Sequence, residues 1–168
     1  MRLILHDLTD EQFHLAGLHE LPSDKNIIVS ALGDNHYCIG CFACWLKTPG
    51  KCIIQDEYQG MGEKLSDVDK YLIISIATFG SYSSAVKNVL DRSISYVKPF
   101  FEMRSGEMHH RERYQKNLEI SAIFYGQCPP WEQSTSEELV KANALNLNGN
   151  VGMVRFLDGW EELGEVLL

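Results

Sequence analysis

The stretch KYLIISIATFGSYSSAVKNVLDR, residues 70–92, decides the fold. It starts as an apolar run of strand length, passes through a Gly-Ser-Tyr-Ser-Ser turn at 80–84, and then changes period. Beyond the turn Val86, Val89, Leu90, Ile94 and Val97 recur at helical spacing, with Ser83 or Ser84 placed to cap the helix. A buried strand feeding a helix in this way is half of a parallel strand-helix-strand unit.

Working outward, the apolar runs RLILHDL (2–8), NIIVSAL (26–32), LEISAIFYG (118–126) and GMVRFLD (152–158) supply four further strands, with helix or loop between each pair. Within PPWEQSTSEELVKANAL, Thr135 and Glu138 have capping-box spacing ahead of Leu139 and Ala142, and WEELGEVLL closes the chain as a last helix. Five strands joined by helical crossovers predict an α/β, doubly wound, three-layer sandwich whose ligands bind beyond the carboxyl ends of the strands. No internal repeat or linker interrupts this order, so residues 1–168 read as one domain. A polar excursion over 99–117, containing EMRSGEMHHRERYQKN, precedes the fourth strand as a lid or dimer arm, and the apolar YVKPFF entering it suggests a dimer surface.

Composition excludes several classes. A formal charge of −8 and the lack of a basic stripe argue against nucleic acid as a partner. The opening MRLILHDLTD is too short in apolar residues for a signal-peptide core, and nowhere do eighteen apolar residues run together. The expectation is a soluble cytoplasmic protein with no membrane partner.

Four of the five cysteines fall at Cys38, Cys41, Cys44 and Cys52, spaced C-x2-C-x2-C-x7-C, with Cys128 left as a bystander. In a reducing compartment such a cluster reads as a metal or redox site before a disulfide framework. Two-residue gaps let successive thiolates turn toward one centre, which suits a [4Fe–4S] cluster better than the two separated pairs of a zinc site. A functional disulfide, zinc, and a reduced hydrophobic plug with Phe42 and Trp45 stay open beside the cluster. His109 and His110 are adjacent, so on a regular element they point apart and chelate poorly; they, or Arg111, could instead meet a substrate at a lid.

The turn at 78–84 puts small residues and backbone N–H groups where a flat ligand could rest, with Phe79 or Tyr82 to stack on it, although an ordinary capped loop explains the same residues. Three stretches together carry a family resemblance: CIGCFACWLKTPGKCIIQDE, TFGSYSSAVKNVLDR and PFFEMRSGEMHHRERY. Over roughly residues 27 to 157 the chain resembles the flavodoxin-like NAD(P)H-dependent FMN reductases, close to the iron–sulfur flavoproteins. The resemblance implies a five-stranded parallel sheet in the order 2-1-3-4-5 and FMN as cofactor. It places Thr78, Phe79, Gly80, Ser81 and Tyr82 along the isoalloxazine ring and Tyr125, Gly126 and Gln127 on its other side. It likens Cys38–Cys52 to a cluster loop, and implies NAD(P)H or a redox protein as partner and pairing with a second copy or a related subunit.

The first loop departs from that pattern. Family members carry a Gly-Ser-Pro-Arg type loop around the FMN phosphate, where this chain has ILHDLTDEQF. Asp7, Asp10 and Glu11 would repel a phosphate dianion, and Thr9 with Gln12 can cap their own helix. The first crossover, 8–26, leaves room for one brief helix. Two functions follow: an FMN-dependent NAD(P)H oxidoreductase or electron carrier, or a non-catalytic subunit of the same fold that has lost phosphate binding.

Overall fold

The structure, a computed structural model, describes residues 1–34, 36–104 and 106–167. Its centre is a parallel sheet of β1 (Arg2–His6), β2 (Asn26–Ser30), β3 (Lys70–Ile76), β6 (Leu118–Tyr125) and β7 (Gly149–Leu157), in the order β2-β1-β3-β6-β7. Counting only these five strands, that is the expected 2-1-3-4-5. β1 lies between β2 and β3 in unbroken register, Leu3 opposite both Ile27 and Tyr71.

Side chains alternate across the sheet, and each face is covered by a different set of helices. Leu3, Leu5, Tyr71, Ile73, Ile120, Ala122 and Phe124 face α3 (Met61–Ser66), α4 (Ser84–Arg92) and α5 (Pro130–Asn146), which bury Met61, Leu65, Val86, Val89, Val140 and Ala144 against them. Ile4, Leu72, Ile74, Ile123 and Tyr125 face the thinner layer, made by α1 (Asp10–Leu15), a 3-10 turn carrying Leu18, and α6 (Leu163–Leu167) with Leu163. The three layers give the flavodoxin-like α/β fold. No helix among the described residues is long and apolar enough to cross a membrane.

Two sequence expectations need correction. The helix after β3 ends at Arg92; a 3-10 turn, Ser93–Tyr96, follows, and Val97 begins a strand. Ser83 is its cap, its side chain accepting from the Val86 N–H at 3.3 Å. Thr135 and Glu138 are not a capping box, because α5 already starts at Pro130, where a missing N–H costs nothing. Thr135 sits one turn inside and donates its hydroxyl to the Trp131 carbonyl. The polar excursion is mostly an antiparallel hairpin, β4 (Val97–Arg104) with β5 (Glu107–Glu112). Arg104 ties it to the C-terminal end of α5 by donating to Leu145 O (2.8 Å) and Asn148 Oδ1 (2.9 Å).

Candidate functional site

The carboxyl edge of the sheet is organised by Asp7. One residue past β1, its buried carboxylate accepts from Ser75 Oγ (3.0 Å), Ile76 N (3.1 Å) and Tyr125 Oη (3.0 Å). It therefore stitches β1, β3 and β6 together where the chain leaves the sheet. Burial, reinforced by Asp7, pushes the Tyr125 hydroxyl well above its ordinary range, so it stays a donor. His6 is buried beside it with its ring 5.0 Å from that of Phe13. The expected capping box is present: Gln12 N donates to Thr9 Oγ1 (3.2 Å) and Thr9 N to Gln12 Oε1 (2.9 Å).

These contacts test the fit of a flavin phosphate. The donors at the ends of β3 and β6 are spent on Asp7, α1 is capped by its own residues, and Asp10 and Glu11 occupy its first turn. Backbone N–H groups are what a phosphate would need there. The first loop does not fit a phosphate.

The ring side differs. Thr78 and Ser81 bond to each other through both backbone N–H groups, at 2.9 and 3.0 Å, closing a tight turn over Phe79 and Gly80. Both central residues have positive φ, 51° at Phe79 and 71° at Gly80. Glycine takes this conformation freely; for phenylalanine it costs about 1–3 kcal/mol. No burial offsets that cost, since Phe79 is 89% exposed. Gly80 is packed under the first turns of α5, where a Cβ would lie 2.8 Å from Thr135, and its N–H donates to Glu132 Oε2 (3.1 Å).

The eight residues that the resemblance puts around a ring thus divide. Thr78, Phe79, Ser81, Gly126 and Gln127 reach the surface of the two loops. Gly80 is buried beneath α5, Tyr82 stacks on Phe124 at 5.2 Å inside the core, and Tyr125 is held by Asp7. Burial pushes the Tyr82 hydroxyl up to about 12.

The cysteine loop forms a second locus on the far side of α4. Its helix α2 (Ala43–Leu46) is anchored by Trp45, which donates Nε1–H to Val97 O (3.0 Å) and packs against Phe42 and His110. Cys38, Cys41, Cys44 and Cys52 all line one cavity of about 470 Å³ between this loop, α4 and α5. They remain free thiols, Cys38 and Cys41 exposed, Cys44 and Cys52 half-buried. Among the described residues no group of three or more Cys, His, Asp or Glu side chains is arranged to hold a metal ion. The expected cluster finds no support in this arrangement: the four sulfurs share a wall without forming a ligand set.

Sequence reasoning passed over Arg92 and Asp56. The Arg92 side chain is fully buried and forms a two-pronged pair with Asp56, both contacts 2.6 Å. Burial alone would raise the Asp56 carboxyl; hydrogen bonds from Arg92 and from the His36 and Tyr58 N–H groups outweigh it and bring it to about 2. Asn88 and Arg92, polar residues one turn apart on the same buried face as Val89, were the available signal. His109 and His110 point apart as expected: Nδ1 of the first meets Asn146 Oδ1 (3.0 Å), that of the second Lys98 O (2.8 Å). Cys128 is half-buried after β6, and burial raises its thiol.

With this geometry in view, the chain is similar to solved flavodoxin-like structures. One is an FMN-dependent NADH-azoreductase from Bacillus anthracis in complex with FMN, at TM-score 0.54 and 13% identity, covering 98% of this chain and 96% of that one. Another is general stress protein 14 from Treponema denticola in complex with FMN, at TM-score 0.54 and 10% identity, covering 98% and 91%. A third is an NADPH-quinone reductase from P. pentosaceus, at TM-score 0.54 and 11% identity, covering 94% and 83%. At these identities the likeness establishes the fold. No family model and no curated protein sequence matches the chain.

Proposed function

We propose that the protein is a flavodoxin-fold oxidoreductase that recognises the isoalloxazine ring of FMN at the loops after β3 and β6, with NAD(P)H as electron donor. The observation that carries this reading is Phe79, an aromatic held in a costly left-handed conformation and left in solvent. Strain of this kind is characteristic of ligand sites. The names of the similar structures, which include FMN, NADH and NADPH, support it.

Bound flavin would supply two-electron hydride chemistry. The chain's part is positional: Phe79 offers a stacking face, while Thr78, Ser81 and Gln127 offer hydroxyl and amide groups to ring polar atoms. Gly126, at φ 89°, lets the second loop turn close to the sheet edge. The ring alone carries recognition, because Asp7 closes the place where a phosphate would be held. A second copy of the chain is proposed as partner through the hairpin, where Phe100, Phe101, Met103 and Met108 are exposed.

The test is a fluorescence titration with FMN and with riboflavin. Both should bind with affinities within about threefold of each other, and Phe79→Ala should weaken both about tenfold, the equivalent of one stacking contact. Binding of neither flavin would sink the reading and leave a fold that serves as a non-catalytic subunit. A strong preference for FMN would refute ring-only recognition.

A further inference from the structure

The cysteine cavity lies at the end of α4 remote from the Phe79 turn, a helix of nine residues, or about 13 Å, away. Its chemistry needs no flavin. Ile39, Phe42, Trp45 and Ile94 make much of its wall apolar, and the four thiols face the same space. A volume of about 470 Å³ suits a small organic molecule.

Arg92 marks one of the sulfurs. A guanidinium has five N–H donors. Here Nη1 donates to His36 O (2.7 Å) and Asp56 Oδ2 (2.6 Å), and Nη2 to Ile54 O (3.3 Å) and Asp56 Oδ1 (2.6 Å). The fifth, on Nε, is directed at Cys52 Sγ at 3.2 Å. A cationic N–H directed at a sulfur favours negative charge on it, the form in which a thiol attacks a disulfide. Cys44 is the other half-buried thiol on the wall of the same cavity, whereas Cys38 and Cys41 are exposed.

We propose that Cys44 and Cys52 form a dithiol/disulfide pair that reduces small disulfides carrying an apolar substituent. The Cys52 sulfur attacks one sulfur of the substrate; the substrate S–S bond breaks, and the first thiol leaves with a proton. Cys44 then attacks the Cys52 sulfur of the mixed disulfide, and the second thiol leaves with the other proton. The two cysteines lose two electrons and two protons, and the substrate disulfide gains them as two thiols. Excess external thiol reverses the exchange.

The test uses the full chain without flavin, so its failure is separate from failure of the flavin reading. The probe is 2,2′-dithiodipyridine, with thiopyridone release followed by absorbance and the products mapped by mass spectrometry. The expected product joins Cys44 to Cys52, retains no thiopyridyl group at either, and accompanies release of two thiopyridones per bond formed. Cys44→Ser should trap one thiopyridyl group on Cys52, and Cys52→Ser should slow reaction at Cys44 at least about tenfold. If either variant fails to fold by circular dichroism, the wild-type map decides alone. Thiopyridyl adducts on the cysteines without a Cys44–Cys52 bond, or a Cys38–Cys41 bond in its place, would overturn the proposal.

Discussion

At the tip of β1 the polar groups close on one another, whereas beyond α4 they face a cavity. Asp7 takes the hydroxyls of Ser75 and Tyr125 and the Ile76 N–H for itself. Arg92 is equally buried and equally well paired, yet one of its N–H groups ends on a thiol in a cavity wall. Both are ionisable side chains inside the protein, and each is held by several hydrogen bonds, as the cost of burying charge requires. The difference lies in what remains for a ligand. The acidic first loop, which by charge alone reads as a repulsive gap, is a structural clasp, while the loop that reads as a metal site presents separate thiols.

Four measurements would break or sharpen that contrast. The largest effect is expected from Asp56→Ala, which strips the carboxylate from a buried guanidinium and should cost about 3–5 kcal/mol in urea unfolding. A cost below about 1 kcal/mol would mean that Arg92 has other compensation. Next, Asp7→Ala leaves two hydroxyls and an N–H without this acceptor and should cost about 3 kcal/mol, with Asp7→Asn recovering part of it. If Asp7→Ala instead leaves stability unchanged and raises FMN affinity, the clasp is dispensable and the phosphate site is latent.

The third effect is a pH dependence. Asp56 has its folded-state value near 2, below the ordinary 3.8. Its contribution is therefore complete above about 3.8 and is lost as pH falls through 2, a loss on the order of 2 kcal/mol. Urea midpoints measured from pH 5 to pH 2 should show it in the wild type and not in Asp56→Asn. The smallest effect is expected from Phe79→Gly, which releases left-handed strain and should stabilise the fold by about 1 kcal/mol while weakening flavin binding. Loss of stability on that change would remove the argument that Phe79 is held there for a ligand.

Much of the sheet was legible because parallel strands buried on both faces are nearly continuous apolar runs, as at Tyr71–Ile74. The Thr9–Gln12 box and the Ser83 cap were legible because each is completed within four residues. The start of α5 was misread since Thr135 and Glu138 have the right spacing, but Pro130 begins the helix a turn earlier. The hairpin was hidden because Phe100, Phe101, Met103 and Met108 are exposed, so no buried face imposes an alternating pattern. The candidate sites were least legible. Asp7 takes its meaning from residues 68 and 118 positions away, and Cys52 from Arg92, 40 positions away. Local spacing carries no trace of such partners.

The clasp at Asp7 also sets an order of events. β1 is the first strand in the chain but lies between β2 and β3 in the sheet, and its end is sealed only when Tyr125 arrives from 118 positions downstream. Contacts of such long separation form against a large loop-closure entropy and fall late in folding. The Ile76 amide reaches Asp7 across 69 positions, nearly the same span as the β1–β3 ladder, so that half of the clasp belongs to the ladder. Its protection from hydrogen exchange should rise together with that of the β1–β3 ladder, leaving the Tyr125 hydroxyl to complete the clasp.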